Sequence, residues 1–139
     1  MFLPEDRAGF RAAFVEAWRK RRAGLPAGAL EVQLADVVAA HPEYHPLLES
    51  PEASQADWTP EGGEANPFLH LALHLALREQ VATDRPPGVA AEHRRLAAAH
   101  GAHAAEHRMM EVLGETLWRA QRNNRPPDEV SYLEGLRRL

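Results

Sequence analysis

The stretch from 66 to 80, "NPFLHLALHLALREQ", constrains the fold more than any other part of the sequence. Asn66 suits the cap of a helix and Pro67 its first turn, so we predict a helix from Pro67 to about Thr83. At about 100° per residue, its leucines, its alanines and Phe68 point in nearly every direction. A helix that is apolar on almost every side is usually central in its domain, so the rest of the chain must cover it.

The remaining sequence predicts more helices, separated by proline, glycine and polar breakers. We expect them at residues 4–23, 28–40, 89–99, 102–122 and 128–138, with a short helical turn at 43–49 and a surface loop at 50–65. Gly101 separates the helices at 89–99 and 102–122, which could instead form one kinked helix. No segment alternates long enough for a strand. The expected fold is all-α, a single-domain bundle of five to six helices over residues 1–139.

Apolar spacing indicates which side of each helix faces the core. Phe10, Phe14, Ala17 and Trp18 share one face of the first helix, and Leu30, Leu34, Val37 and Val38 are expected to point inward from the second. In the helix at 102–122 the core face is expected from Met109, Met110, Leu113 and Leu117. These faces would pack around the apolar helix that begins at Pro67.

Composition excludes several functional classes. The chain has no cysteine, which removes disulfides, thiolate metal sites and cysteine nucleophiles. A net charge of -4 gives no reason to expect nucleic acid or a membrane surface as a partner, and "RKRR" at 19–22 is typical of a helix C-terminus in water. No apolar run is long enough to span a membrane, and the first residues lack a signal-peptide pattern. We expect a cytoplasmic protein, and arginine with almost no lysine suggests a GC-rich bacterial genome.

Two histidines interrupt the apolar helix. His70 and His74 lie about 40° apart on one face, and Arg78 continues their stripe. A buried imidazole needs partners for its nitrogens. The pair either hydrogen-bonds to neighbouring helices or coordinates a metal, because imidazoles four residues apart on a helix can reach the same ion.

The helix at 102–122 repeats this spacing with His103 and His107, and Glu111 lies one turn further. Together with His70 and His74 these side chains would suit a divalent metal such as zinc, iron, manganese or nickel. No motif indicates an organic cofactor. The chain has eight histidines, so chance pairs are not rare: His41 and His45, around a proline, are also four apart, and His93, His100 and His103 add background.

"HAAEH" at 103–107 also matches the inverted zinc-protease signature, in which Glu106 would be the general base. Five residues match easily by chance. Glu106 is expected to turn toward the core face of its helix, where pairing with an arginine is the alternative.

Several segments in fixed order, "AWRKRRAG", "HPEYHPLLE", "TPEGGEANPFLHLALHLALREQ", "DRPPG", "HAAEHRMMEVLGETLWRAQR" and "RPPDEVSYLEGLRRL", resemble the bacterial family called domain of unknown function 1841. The resemblance covers nearly the whole chain. It implies a small single-domain protein and supplies no catalytic residues. Ala102 stands where the family pattern would lead us to expect a polar cap, which leaves that helix boundary open.

Three functional hypotheses follow, and the sequence leaves open whether the protein is an enzyme. The first is a histidine-lined, metal-binding site between two core helices, built from His70, His74, His103 and His107, with Glu111 as a further ligand. The second is a protein-interaction or homo-oligomerisation module without a metal. The third is a pH sensor, because histidines change charge near neutral pH.

Overall fold

A computed structural model describes residues 7–50 and 66–139. These residues form helices and the short segments that connect them. The helices are α1 (Arg7–Ala23), α2 (Ala29–Ala39), a 3-10 turn (Pro42–Tyr44), α3 (His45–Leu48), α4 (Pro67–Thr83), α5 (Val89–His100), α6 (Ala102–Arg122) and α7 (Glu129–Arg137). The all-α class is confirmed. Seven α-helices in the described residues exceed the expected five to six, because α3 is a separate short helix and Gly101 divides α5 from α6.

Local chemistry explains the clearest boundaries. Asn66 caps α4 by accepting hydrogen bonds at Oδ1 from the backbone N–H groups of Phe68 and Leu69, at 3.0 and 3.3 Å. Gly101 has a φ of 85°, which a glycine adopts without strain, so α5 and α6 are two helices and not one kinked helix. The predicted loop at 50–65 lies, from residue 51 onward, outside the described residues.

The chain divides into two compact units, of which the first covers residues 1–75. Within it, α1, α2, α3 and the first half of α4 pack around an apolar core that includes Phe14, Val37 and Leu71, each 0% exposed. The predicted inner face of α1 is confirmed. The prediction for Leu30 is wrong: it is 53% exposed, because it lies in the first turn of α2, ahead of the part of the helix that meets the core.

The second unit covers residues 76–139 and contains the second half of α4 with α5, α6 and α7. Met109, Met110 and Leu113 are buried as predicted. The phenol of Tyr132 donates a 2.6 Å hydrogen bond to Oε1 of Gln80, and burial raises the pKa of that phenol. The expectation of a single domain over residues 1–139 stays a prediction.

The basic run at the end of α1 is neutralised within the first unit. Each of its four cations has a carboxylate partner: Arg19 with Glu16, Lys20 with Glu31, Arg21 with Asp36 and Arg22 with Glu49. The positive charge of residues 19–22 is therefore balanced by neighbouring carboxylates. Within the described residues, no helix has both the length and the apolar character needed to cross a membrane.

Candidate metal centre

Three histidines of the first unit come together where α2 ends beside α4. His70 and His74 lie on successive turns of α4. His41 lies two residues after the last residue of α2 and directly before Pro42. Its backbone has left the helical region, with φ −126° and ψ 71°, because the following proline disfavours helical angles. The end of one helix and the face of another thus supply the three rings.

The ring nitrogens converge on one atom. Nε2 of His41 lies 3.0 Å from Nε2 of His70 and 3.3 Å from Nδ1 of His74. The His41 ring stands nearly perpendicular to both other rings, at 82° and 86°. His41 and His74 are 0% exposed, whereas His70 is half-buried. We call His41, His70 and His74 the histidine trio.

The backbone fixes the tautomer of His41. Its Nδ1 lies 2.7 Å from the carbonyl oxygen of Val37, which can only accept a hydrogen bond. Nδ1 therefore carries the proton, and Nε2 of the neutral ring presents its lone pair to the other two histidines. A metal-ligating histidine usually donates a hydrogen bond from its far ring nitrogen to a backbone carbonyl, a carboxylate or water.

The spacing of the trio fits a metal ion. Nitrogens bound tetrahedrally at zinc distances of about 2.0–2.1 Å are separated from each other by about 3.3–3.4 Å. The two distances from Nε2 of His41 are close to this value, and one ring nitrogen from each member of the trio lies within 4.8 Å of the others. Neutral imidazoles favour zinc, iron, nickel or copper over magnesium or calcium, which prefer oxygen ligands.

Tyr44 forms an aromatic wall beside the trio. Its ring stacks on His41 at a centroid distance of 5.5 Å and meets His70 edge-on at 5.8 Å. Burial, with a smaller contribution from the carboxylate of Glu43, raises the pKa of Tyr44 above its usual value. The phenol is therefore neutral at neutral pH and adds no charge beside the three rings.

His45, four residues after His41, has a different role. Its Nε2 lies 2.9 Å from the carbonyl oxygen of Val38, and its ring packs on Trp18 at a centroid distance of 4.3 Å. The carbonyl holds the proton on Nε2, so that this nitrogen has no lone pair to offer an ion. His45 thus braces the end of α2 against α1.

The predicted residues of α6 belong to the second unit. His107 is half-buried, whereas His103 and Glu111 are exposed. The ring centroids of His103 and His107 are 4.1 Å apart. Their role as ligands stays a prediction.

Glu106, in contrast, has a clear structural role within the second unit. Its carboxylate accepts hydrogen bonds from Nε of Arg78 and from Nε2 of His93, both at 3.1 Å. The predicted pairing with an arginine is confirmed. These two bonds account for the buried acid of the "HAAEH" segment without protease chemistry.

Sequence reasoning found two members of the trio and missed the third. The sequence places His41 among the chance pairs, and no helical spacing connects it with His70, which is 29 positions away. One feature of the sequence could have identified His41: it is a histidine between the end of an apolar helix and a proline.

The chain matches a known family over nearly its whole length. The model described as "Domain of unknown function (DUF1841)" matches residues 6–138. The chain belongs to this family. Membership in DUF1841 confirms the resemblance drawn from the sequence motifs, and the family's description assigns no activity. Neither a curated protein nor a solved structure matches the chain. The clearest indication of what this DUF1841 chain binds therefore comes from its own histidines.

Proposed function

We propose that the protein binds a divalent transition metal through His41, His70 and His74. The observation that carries the proposal is the approach of two ring nitrogens, at 3.0 and 3.3 Å, to the same nitrogen of a third ring. Zinc is the simplest candidate because it accepts imidazole ligands in a tetrahedral arrangement. Iron and nickel also suit imidazole donors.

A metal ion accounts directly for the convergence of three rings on one nitrogen. A neutral imidazole has one in-plane lone pair on its unprotonated nitrogen, so Nε2 of His41 can accept one well-aligned hydrogen bond. Two neighbouring nitrogens approach it, and both His41 and His74 are fully buried. A metal ion in the centre would satisfy all three nitrogens together, while Val37 keeps the His41 proton on the opposite side of the ring.

Three imidazoles leave a tetrahedral ion one ligand short. The prediction that α6 supplies further ligands is part of this proposal. Of its three candidates, His107 is half-buried, whereas His103 and Glu111 are exposed. We therefore expect His107 to contribute more to metal affinity than His103 or Glu111.

The test is elemental analysis of tag-free protein, followed by equilibrium dialysis against zinc, iron and manganese. We expect about one ion per chain, and below about 0.2 ions per chain after dialysis the proposal is rejected. His107→Ala should weaken binding more than His103→Ala. His100→Ala is the matched control, because His100 is an exposed histidine at the end of α5 and should leave binding unchanged.

The interaction module ranks second because its main support was the apolar surplus of α4. Leu71, Leu75 and Leu77 are at most 5% exposed within a single chain. Among the large apolar residues of α4, which lies wholly in the described part of the chain, Leu69 alone is exposed. Coverage of α4 therefore requires no second copy, and a partner or homo-oligomer stays a prediction.

A further inference from the structure

We infer that the metal ion held by the histidine trio also takes a small anion from solution as a ligand, either hydroxide or an inorganic anion of similar size. This inference rests on the proposed metal site. It concerns what the site binds besides the ion, and therefore which chemistry the bound metal can offer. It follows from the charge of the trio, its burial and the pairing of the acids around it.

The trio brings no negative charge to the ion. The three ligands are imidazoles, and the carbonyl of Val37 keeps the proton on Nδ1 of His41, so that ring is not an anion. Within residues 7–50 and 66–139, no aspartate or glutamate oxygen joins the ring nitrogens within 4.8 Å. Among the described residues, the protein therefore supplies no charge that would balance a bound divalent ion.

Among the described residues of α2 and of the segment that follows it, the carboxylates are paired with other groups or exposed. Glu31 and Asp36 on α2 form ion pairs with cations of α1 at 2.7 and 2.8 Å. Glu49, after α3, accepts a hydrogen bond from the indole of Trp18 and lies 3.6 Å from Arg22. Glu43 is exposed. These four carboxylates face solvent or the end of α1, and none neutralises the trio.

Burial makes this charge imbalance costly. His41 and His74 are 0% exposed, and an isolated charge removed from water is strongly unfavourable unless it is paired. An anion on the metal would halve the net charge without any change in the protein. His70 is half-buried, so one member of the trio retains some exposure to solvent, from which a small anion would come.

The coordination number leaves room for the anion. Zinc and cobalt sites with three protein ligands keep a fourth position, and zinc can expand to five ligands. If a histidine of α6 takes the fourth position, the anion would take the fifth.

The experiment uses cobalt(II) as a coloured substitute for zinc. Tag-free protein is loaded with cobalt, dialysed, and titrated with sodium azide while its visible spectrum is recorded. We expect the bands to shift and their intensity to change, with saturation at one azide per cobalt. Perchlorate, which coordinates weakly, should cause no change at the same concentration, and the His100→Ala variant should respond to azide as the native protein does.

The possible outcomes distinguish a failure of anion binding from a failure of metal binding. If cobalt binds in stoichiometric amount but a large excess of azide leaves the bands unchanged, the anion inference is wrong and the metal site stands. The inference is equally wrong if azide only removes cobalt from the protein. If cobalt and zinc both fail to bind, the proposed function itself is overturned.

Discussion

Replacement of His41 by asparagine separates the metal-binding role of this residue from its structural role. The amide of asparagine can occupy the position of Nδ1 and donate to the carbonyl of Val37, as His41 does at 2.7 Å. It has no atom at the position of Nε2, where the nitrogens of His70 and His74 converge. We therefore expect His41→Asn to fold, with a loss of about 1 kcal/mol from reduced packing, and to lose most of its response to zinc.

The expected size of that response follows from linkage. Free zinc at about 100 times its Kd stabilises the native protein by about 2.7 kcal/mol. With the unfolding entropy typical of a chain this long, this corresponds to a Tm increase of about 9 °C. Loss of one of three ligands should raise the Kd at least about 100-fold, which leaves a stabilisation of about 0.4 kcal/mol and a shift of about 1 °C at the same zinc concentration.

Thermal unfolding followed by circular dichroism, with and without zinc, measures both shifts. His45→Asn is the matched control, because His45 also bonds to a backbone carbonyl of α2 but is not part of the trio. It should lower the Tm of the metal-free protein while keeping the full zinc response. An undiminished zinc shift in His41→Asn would refute the reasoning, since it would place the ion elsewhere.

Two further predictions concern the second unit. A methyl group at Gly135 would lie 2.7 Å from Cγ1 of Val112. Gly135→Ala should therefore lower the free energy of unfolding, measured by urea denaturation, by about 1–3 kcal/mol. Adding Val112→Ala should recover part of this loss, because it removes the methyl group that is too close. Asp128 caps α7, and hydrogen bonds from Ser131 lower its pKa. Its contribution is present above the carboxyl pKa of the unfolded chain and is lost as the pH falls through the folded value. Asp128→Ala should therefore make the loss of stability below about pH 4 less steep. An acid-induced loss as steep as that of the native protein would contradict this.

Much of the fold was predictable because its signals are local. The limits predicted for α4 and for α6 agree with the structure, since a capped proline start and a glycine break act within a few residues. The short helix α3 was predicted only as a turn, because Pro42 and Pro46 interrupt the pattern by which helices are recognised. Leu30 was misplaced because helical periodicity gives direction around the axis but not whether a neighbour covers that turn.

The site was only partly predictable for a related reason. The spacing of His70 and His74 identifies a shared face of one helix, and the structure places both in the trio. The direction of the His41 side chain depends on a non-helical backbone and on a bond back to Val37, neither of which has a periodic signature. Its partners are 29 and 33 residues away, so only tertiary packing brings them together.

The 29-residue separation between His41 and His70 also determines how a bound ion would affect folding. Two histidines on adjacent turns of α4 can hold a metal without any constraint on the rest of the chain. With His41 as a ligand, the ion closes a chain loop of 29 residues between α2 and α4, and such a cross-link removes more freedom from the unfolded chain than a bond within one helix. Metal binding to the trio is then coupled to folding of the first unit, which is why the loss of a single nitrogen of His41 should appear as a loss of stability in the presence of zinc.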